Sequence, residues 1–553
     1  MVEELHGILF LDRTDAPIAD ENPHDPSQTG DLMSTSALAL PWTAGPQNSS
    51  GDEFDWGQQS QEMARGPPRT PSVILLDESS HETSWSSIFK SDVMTRSGSP
   101  ALPTTYQSNT PLSTEIFDLQ GKLIDAYFNT VCRIFSTFDS PQNLFRSYIN
   151  RRWQNSSAMF YAMLSMSSAK LGRQSLTYKK YAYEYQSLAI KQLGEDVSVA
   201  SFWTPELLFI VLMLGLSTSW HDISDLGLVH LEAMQHAVFN TQIICADDEL
   251  DTLDFFQKAL VYWEMVTSWV SEDVTIHDYT RLSPCRQRQI APRESNPFNV
   301  ERLKPHPWTS ISQQPQALFT RLVRLFRQLK SFDHGSKTPK SHLAEPATFL
   351  QAVEALEVEL WSLELPSLHE IANTGDANTP PIHHLLLAEA YMFANFYQLY
   401  QVFPNLLSKR GRHLNQPHSS RSMMQNLTML TSLSDSDTNS EDWLKFLGRN
   451  IITRLDQIHM SSGTSCVQPL LLLVGSTSLS IDPDSNGGEE EVEILRMRKS
   501  VLARLSFISD ACLSEPIHSV EMAVKEIFKR LDIGVNVFWM DMLQNMGLVT
   551  IIG

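Results

Sequence analysis

The segment STSWHDISDLGLVHLEAMQHAVF (217–239) brings together residue types that could hold a metal ion or move protons. It contains three histidines, two aspartates and a glutamate. At 100° per residue in a helix, His230 and His236 point to different faces, so the two imidazoles cannot share a metal ion. The zinc-protease spacing, two histidines at i and i+4 with a glutamate beside the first, is absent from this segment. We therefore predict a core helix with an acidic start, in which Asp222 and Asp225 cap free N–H groups.

The string DDELD (247–251) is the strongest enzyme-like pattern. It is similar to the metal–diphosphate motif of terpene synthases, in which aspartate carboxylates chelate Mg²⁺. That family also needs a second motif of the form Asn/Asp-Asp-x-x-Ser/Thr-x-x-x-Glu, and the nearest string, SDSDTNSED (434–442), does not match it. Acidic residues are also expected at the start of a helix, because they interact favourably with its dipole. We predict a helix start here, and an all-α metal-dependent enzyme of terpene-synthase type is the alternative.

Two further strings, HHLLLAE (383–389) and WHDIS (220–224), are isolated, and we predict core or capping roles for them. The sequence contains no P-loop, no Gly-x-Gly-x-x-Gly and no Gly-x-Ser-x-Gly motif. The expectation is therefore no catalytic residue, no cofactor-binding residue, no metal ligand and no enzymatic activity.

Composition restricts the class of partner. The 553 residues carry a net charge of −22, which disfavours direct coating of nucleic acid or of an anionic membrane. The apolar run LLFIVLMLGL (207–216) is about half a membrane span, and the acidic N-terminus does not resemble a signal peptide. A soluble, intracellular protein is therefore predicted.

The five cysteines form no Cys-x-x-Cys pair and indicate a reducing compartment. They are Cys132, Cys245, Cys285, Cys466 and Cys512.

The first 110 residues differ from the rest of the chain. They hold 16 acidic and 5 basic residues, a net charge of −11, together with ten prolines. Such a composition cannot bury enough apolar surface to offset the entropy of ordering, so we predict disorder over 1–110. Two islands, GDEFDWGQQ (51–59) and VILLDESSHETSWSSIFKSD (73–92), set aromatic side chains among carboxylates. This pattern is typical of amphipathic activation segments, and a featureless tail is the alternative.

Residues 113–553 show helical periodicity without alternating strand patterns, so the predicted fold class is all-α. We place loops near 278–315, 408–440 and 482–491. Gly172 and Gly194 are predicted C-caps of their helices.

Three basic features have a neutral and a functional interpretation. The segments RLSPCRQRQIAPR (281–293) and LSKRGRH (407–413) are interpreted as solvated linkers, with nuclear import as the alternative. A third feature is a cationic stripe on the helix predicted over 315–332. We interpret the stripe as a solvated face, with binding of an acidic segment, including one of the chain's own, as the alternative. The stripe consists of Arg321, Arg324, Arg327 and Lys330.

The order of the helical segments resembles the fungal-specific transcription factor domain, the all-helical middle region of zinc-cluster regulators. LIDAYFNTVCRIFSTFDSPQNLFRSYI (123–149) is similar to the opening helix and aspartate-containing turn of that family. The small-residue helix NSSAMFYAMLSMSSAKLG (155–172) and the helix YAYEYQSLAIKQL (181–193) follow. LLFIVLMLGLSTSW (207–220) with LVHLEAMQHAVF (228–239), and the C-terminal VFWMDMLQNMGLV (537–549), complete the resemblance over roughly 113–553.

One departure from the family concerns DNA. The zinc cluster requires six closely spaced cysteines, and this sequence has five scattered ones. Either a DNA-binding partner recruits the protein, or the gene model lacks an exon, or regulation needs no direct contact with DNA.

The resemblance implies a nuclear transcriptional regulator of a metabolic pathway or secondary-metabolite gene cluster. It implies the transcription machinery or a DNA-binding protein as partner, a homo- or heterodimer, and no membrane. Little direct DNA binding is expected, because the chain is acidic. A helical scaffold without a transcriptional role is a further alternative.

Overall fold

Helices build the part of the chain that the computed structural model describes, which confirms the all-α prediction. It describes residues 111–172, 175–200, 202–240, 250–271, 302–333, 346–411, 440–481, 488–512 and 515–548. Within these ranges no strand forms, and the isolated bridges include Leu303 with Ile371 and His306 with Ser310. The predictions for 1–110 and 281–293, and most of those for 247–251, 278–315 and 408–440, lie outside the described residues.

The helices follow one another along the chain. They are α1 Pro111–Ala126, α2 Cys132–Ile134, α3 Leu144–Arg152, α4 Ser157–Gly172, α5 Leu176–Val199, α6 Pro205–His221, α7 Leu228–Asn240, α8 Leu250–Thr267, α9 Gln313–Asp333, α10 Pro346–Ser362, α11 Pro381–Val402, α12 Pro404–Gly411, α13 Ser440–Asp456, α14 Pro469–Ser476, α15 Glu489–Cys512, α16 Glu515–Asp532 and α17 Trp539–Asn545. A π-helical turn, Tyr127–Val131, joins α1 to α2.

Several predicted boundaries are wrong. The helix α9 begins at Gln313, inside the loop predicted near 278–315, and α12 continues to Gly411, inside the loop predicted near 408–440, so the start of LSKRGRH is helical and not a linker. Gly172 ends α4 as predicted, but Gly194 lies inside α5, which continues to Val199 because Val197, beyond the glycine, still packs against the core. The loop predicted over 482–491 ends earlier than expected, since α15 begins at Glu489. Three glutamates fill the first turn of α15, where carboxylates are stabilised by the positive end of the helix dipole.

The centre of the core is α11. From His383 to Tyr400 every residue except Leu385 and Glu389 is buried, as expected for a helix that is apolar on all sides. It lies against α9, α13 and α14. The few buried polar side chains of α11 therefore have to find partners inside the protein.

The turn that follows α2 is connected to the segment that precedes α9. The N–H of Thr137 donates to the carbonyl of Pro307 at 2.6 Å, and the indole N–H of Trp308 donates to the carbonyl of Phe135 at 2.7 Å. Gly463 packs onto the same turn so closely that a Cβ atom would lie 2.5 Å from the Thr137 carbonyl oxygen. Three distant parts of the sequence thus meet at this turn: the residues after α2, the segment before α9 and the segment before α14.

Gly215 is where α6 approaches its neighbours most closely. A Cβ atom here would lie 2.2 Å from the ring of Trp263 in α8 and 2.7 Å from the Cβ of His230 in α7. The absence of a side chain therefore allows three helices to meet. No helix in the described ranges has the length and hydropathy needed to span a bilayer.

Candidate functional site

The segment singled out at the start, 217–239, lies at the end of α6 and in α7. His221 is buried, and its Nδ1 lies 2.8 Å from the carbonyl oxygen of Ser217 while its Nε2 lies 2.8 Å from the Ser165 hydroxyl. Burial lowers the pKa of this imidazole. His236, by contrast, is exposed on α7. The segment joins α4 to α6 through His221, and its histidines do not converge, as the helical spacing predicted.

The string HHLLLAE contributes a second buried serine–histidine pair. The Ser310 hydroxyl lies 2.7 Å from His384 Nδ1, and both side chains are almost fully buried. Ser310 adopts a left-handed backbone conformation with φ of 55°, which costs energy in a residue that carries a Cβ. Burial lowers the pKa of His384 to about 3, so the imidazole stays neutral. The pair joins the turn before α9 to α11, which is the core role predicted from the sequence.

The carboxylates and histidines of the described residues do not converge on a metal. No group of three or more His, Cys, Asp or Glu side chains in these ranges could hold a metal ion. Of the DDELD string, Leu250 and Asp251 belong to α8 and start that helix, while 247–249 lie outside the described residues.

The cationic stripe of α9 is not the solvated face that we predicted. Arg321 forms a 2.5 Å ion pair with Glu359 of α10, and an Nη atom of Arg327 donates to the carbonyl of Ser268 at 3.4 Å. All four cationic side chains of the stripe are partly buried. Two of the four cations, Arg321 and Lys330, pair with carboxylates of the same chain, on α10 and α17, whereas Arg327 binds a backbone carbonyl. The periodicity of α9 could not reveal this, since the partners come from α10 and from the C-terminus.

The end of the stripe carries the most specific of these contacts. Lys330 forms an ion pair with Asp541 of α17, and its ammonium group lies 5.7 Å from the centre of the Phe538 ring. Burial lowers the pKa of Lys330, and the neighbouring Arg327 guanidinium acts in the same direction. A cation over an aromatic face is stabilised by the ring quadrupole, so Lys330 recognises an aromatic residue and a carboxylate together.

The segment 537–545, here called the C-terminal segment, occupies a cleft beside this lysine. The Trp539 side chain is fully buried, and its indole N–H donates to Gln398 Oε1 of α11 at 2.8 Å. The Gln401 amide donates to the carbonyl of Val537 at 3.0 Å, so the backbone of the segment is held as well. The ring centre of Trp539 lies 6.2 Å from that of Phe319 in α9.

A glycine turn directs the chain into the cleft. Gly534, with φ of 76°, follows α16 in the left-handed conformation that commonly ends a helix. The N–H groups of Gly534 and Val535 donate to the carbonyls of Leu531 and Arg530, each at 3.0 Å. This turn reverses the chain, so that Phe538 reaches the Phe326 ring, with 5.5 Å between centres.

The cleft between α9 and α11 is the candidate functional site. It combines an apolar pocket for a large aromatic side chain, a backbone-binding amide and one cation for a neighbouring carboxylate. An arrangement of this kind suits the binding of a short segment of protein chain, here the chain's own C-terminal segment. The sequence identified VFWMDMLQNMGLV as a recognisable segment but not where it binds. The sequence feature that could have indicated the binding site is the aromatic–acidic composition of this segment together with the cationic stripe of α9.

Comparisons with known proteins give one match. Residues 122–447, more than half of the chain, match the model of a family described as the fungal specific transcription factor domain. No curated protein and no solved structure matches the chain. The matched region begins in α1 and ends in α13, so it includes α9 and α11, whereas α17 lies beyond it.

Proposed function

The chain belongs to the fungal specific transcription factor domain family, and from this we propose that it regulates transcription of the genes of one metabolic pathway or secondary-metabolite cluster in the nucleus. The observation that carries the proposal is the family match over 122–447. The region 113–553 would then be the helical regulatory and interaction domain, and 1–110 the activating segment.

Recruitment to DNA is proposed to occur through a DNA-binding partner protein. The net charge of −22 opposes tight binding to phosphate, and the five cysteines are too scattered to form a zinc cluster. Protein–protein contacts would therefore have to supply the specificity for target genes.

The geometry that supports an interaction role is the cleft between α9 and α11. It holds an aromatic–acidic segment by burying Trp539 and by pairing Lys330 with Asp541. The two islands in 1–110 combine aromatic and acidic residues in a similar way. We propose that the domain regulates by binding segments of this composition, and that the C-terminal segment is the one bound in the resting protein.

Tethering to a foreign DNA-binding domain tests the transcriptional role. Residues 1–110 fused to such a domain should activate a reporter, because a disordered segment binds coactivators by burying large side chains, each worth roughly 1.5–3 kcal/mol. Replacing Phe54, Trp56, Trp85 and Phe89 with alanine should abolish most of the activity. Replacing Asp52, Glu53, Glu78 and Glu82 with their amides should cost less, because the carboxylates contribute mainly solvation and encounter rate.

The reporter experiment also separates the alternatives. A silent 1–110 fusion, present at normal levels in the nucleus, would contradict the activating role. Silence of the full-length fusion as well would favour a helical scaffold without a transcriptional role. Loss of activity in the amide variants but not in the alanine variants would contradict the aromatic mechanism.

The cleft is tested in the full-length fusion with Lys330→Glu. This change places two carboxylates together, so we expect the C-terminal segment to be held less tightly and the reporter output to change. Lys330→Arg preserves the positive charge and is the matched control, expected to behave as the original protein. Limited proteolysis reports release of the segment directly. Release without any change in reporter output would contradict a regulatory role for the cleft.

A further inference from the structure

A recess of about 740 Å³ opens on the solvent side of α3. Its volume falls within the range of about 300–1,000 Å³ that is usual for small-molecule sites. The side chains that line it come from α3, from the π-helical turn before α2 and from the turn between α2 and α3. The recess, here called the α3 recess, is lined by Phe128, Pro141, Arg146, Ser147, Asn150 and Arg151.

Helical spacing places the four α3 residues of the recess on one side of the helix. Arg146 and Asn150 are four positions apart, as are Ser147 and Arg151, so each pair forms one stripe and the two stripes are adjacent. Asn150 and Arg151 are exposed, whereas the three buried side chains of α3 lie on the opposite side. Two guanidinium groups, one amide and one hydroxyl therefore face the recess together.

Arg146 is held in place and still has donors for a further partner. Its Nε and one Nη atom bind the two carboxylate oxygens of Asp139 at 2.7 and 2.9 Å, and the same Nη donates to the carbonyl of Phe128 in the π-helical turn. The second Nη takes no part in these bonds, so its two N–H groups are available to a ligand. Hydrogen bonding to Asp139 raises the pKa of Arg146, which keeps the guanidinium charged.

Arg151 supplies the second guanidinium group of the recess. Its Nε donates to the carbonyl of Ser147 at 3.2 Å, one turn earlier in α3, and this bond leaves both Nη atoms for a ligand. The exposed Asn150 amide, one turn from Arg146, can add a further hydrogen bond. The donors of the recess thus outnumber its acceptors, which suits an anion.

The charge and the walls of the recess select the class of anion. Arg146 and Arg151 contribute two positive charges, and Asp139, which pairs with Arg146, contributes one negative charge, so a net charge of +1 remains. A single carboxylate balances this charge and matches the planar fork of a guanidinium, whereas a phosphate dianion exceeds it. Phe128 and Pro141 form an apolar wall that suits a hydrocarbon group attached to the carboxylate.

We propose that the α3 recess binds a small organic monocarboxylate. The carboxylate lies between Arg146 and Arg151, and the hydrocarbon part lies against Phe128 and Pro141. This binding site is separate from the cleft between α9 and α11, and it provides a way for a metabolite to act on the domain.

Asp139 connects the recess to the interior of the protein. Its backbone N–H donates to Asp376 Oδ2 at 3.0 Å, and the same oxygen accepts from the Thr379 hydroxyl at 3.0 Å. Thr379 in turn accepts from the N–H of Gly463 at 2.9 Å. A ligand on Arg146 therefore acts on the turn where the residues after α2 meet the segment before α14, and it stabilises the folded chain by mass action.

Calorimetric titration of the full-length chain with benzoate tests the class of ligand. We expect saturable binding with a dissociation constant of about 1 mM, because benzoate is small and combines one charged with one apolar contact. Benzamide has the same shape without the charge, and inorganic phosphate lacks the apolar part. Each should bind at least about tenfold more weakly than benzoate. No saturable binding of benzoate, or equal or tighter binding of benzamide or phosphate, would overturn the proposal.

Two neighbouring arginines locate the binding site. Arg151→Gln removes a guanidinium group from the recess and should weaken benzoate binding about tenfold, since a charge-assisted contact is lost. Arg152→Gln removes the same charge one position along α3. The Arg152 guanidinium lies over the Tyr148 ring, 5.5 Å from its centre and outside the recess, so this matched control should leave binding unchanged. Equal effects of the two substitutions would contradict a site in the recess.

Chemical labelling locates the site without any substitution. Benzoate should protect Arg151 from an arginine-selective dicarbonyl reagent and leave Arg152 unprotected, with modification of each residue quantified by mass spectrometry. Absence of protection at Arg151, or equal protection of both arginines, would overturn the proposal even if benzoate binds elsewhere on the chain.

Discussion

The indole N–H of Trp539 donates a 2.8 Å hydrogen bond to Gln398 Oε1, which joins the C-terminal segment to the central helix across 141 residues of sequence. Both side chains are fully buried. The Gln398 amide nitrogen donates at the same time to the carbonyl of Ala394 at 3.1 Å, so its oxygen is oriented toward the tryptophan. The C-terminal segment is therefore held by a directional contact inside the core as well as by apolar packing.

Removing the indole should destabilise the fold in two steps. Trp539→Phe keeps an aromatic ring but leaves the Gln398 oxygen without its donor, at a cost of about 1–3 kcal/mol. Trp539→Ala also leaves a cavity and should cost about 3–5 kcal/mol. Urea unfolding followed by circular dichroism measures both free energies. Phe507→Ala, at a residue that is 42% exposed on α15, is the control and should change the free energy of unfolding by about 0.5 kcal/mol. Equal costs for Phe507 and Trp539 would contradict the buried contact.

Replacing either of two glycines with alanine should change the stability of the protein, but in opposite directions. Gly215→Ala forces a Cβ atom into the Trp263 ring, and overpacking of this kind costs about 1–3 kcal/mol. Gly121→Ala lies on an exposed face of α1 with no atom within 4 Å of the new Cβ. It should stabilise the helix by up to about 1 kcal/mol through helix propensity alone. Thermal unfolding of the two variants in parallel measures the difference, and two shifts of the same sign would contradict this packing.

Acid should destabilise the protein through His384. Burial lowers the pKa of this imidazole to about 3 from its ordinary 6.5, with His383 acting in the same direction and Asp376 opposing it. Between these values the unfolded chain binds a proton that the folded chain does not. Stability therefore falls as the pH drops below 6.5, by up to about 1.4 kcal/mol per pH unit for this residue.

The matched variant is His384→Asn, whose amide can still bond the Ser310 hydroxyl. Its free energy of unfolding should depend less steeply on pH between 6.5 and 4 than that of the original protein. Urea unfolding at several pH values measures the slopes, and identical slopes for His384→Asn and the original protein would exclude His384 as the cause.

Direct DNA binding by the purified chain should be weak and indifferent to sequence. The net charge of −22 repels phosphate, and the cationic stripe of α9 is already engaged by groups of the same chain. Gel shifts at about 150 mM salt should give dissociation constants no tighter than about 1 μM, the range of non-specific binding. A promoter fragment and a shuffled fragment of equal length should bind equally. Nanomolar preference for the promoter would contradict recruitment through a partner.

The sequence by itself determined the fold class and most helix positions. It also determined that the histidines of 217–239 do not converge on one site. These are local properties, because periodicity of 3.6 residues reports which face of a helix is buried. Gly194 shows where a local rule failed: a glycine predicts a helix end, but the apolar face of α5 continues past it, and Val197 packs against the core. The tertiary contact outweighs the preference of one residue.

Only the tertiary structure decided what the cationic stripe of α9 does. Its spacing fits a solvated face as well as a binding surface, because the choice depends on residues far away in the sequence. Lys330 meets Asp541 because the turn at Gly534 brings the C-terminal segment back across α9. Trp539 finds Gln398 for the same reason. Partners separated by more than a hundred residues leave no periodic signal in a single sequence, so packing alone reveals which charges are paired and which are exposed.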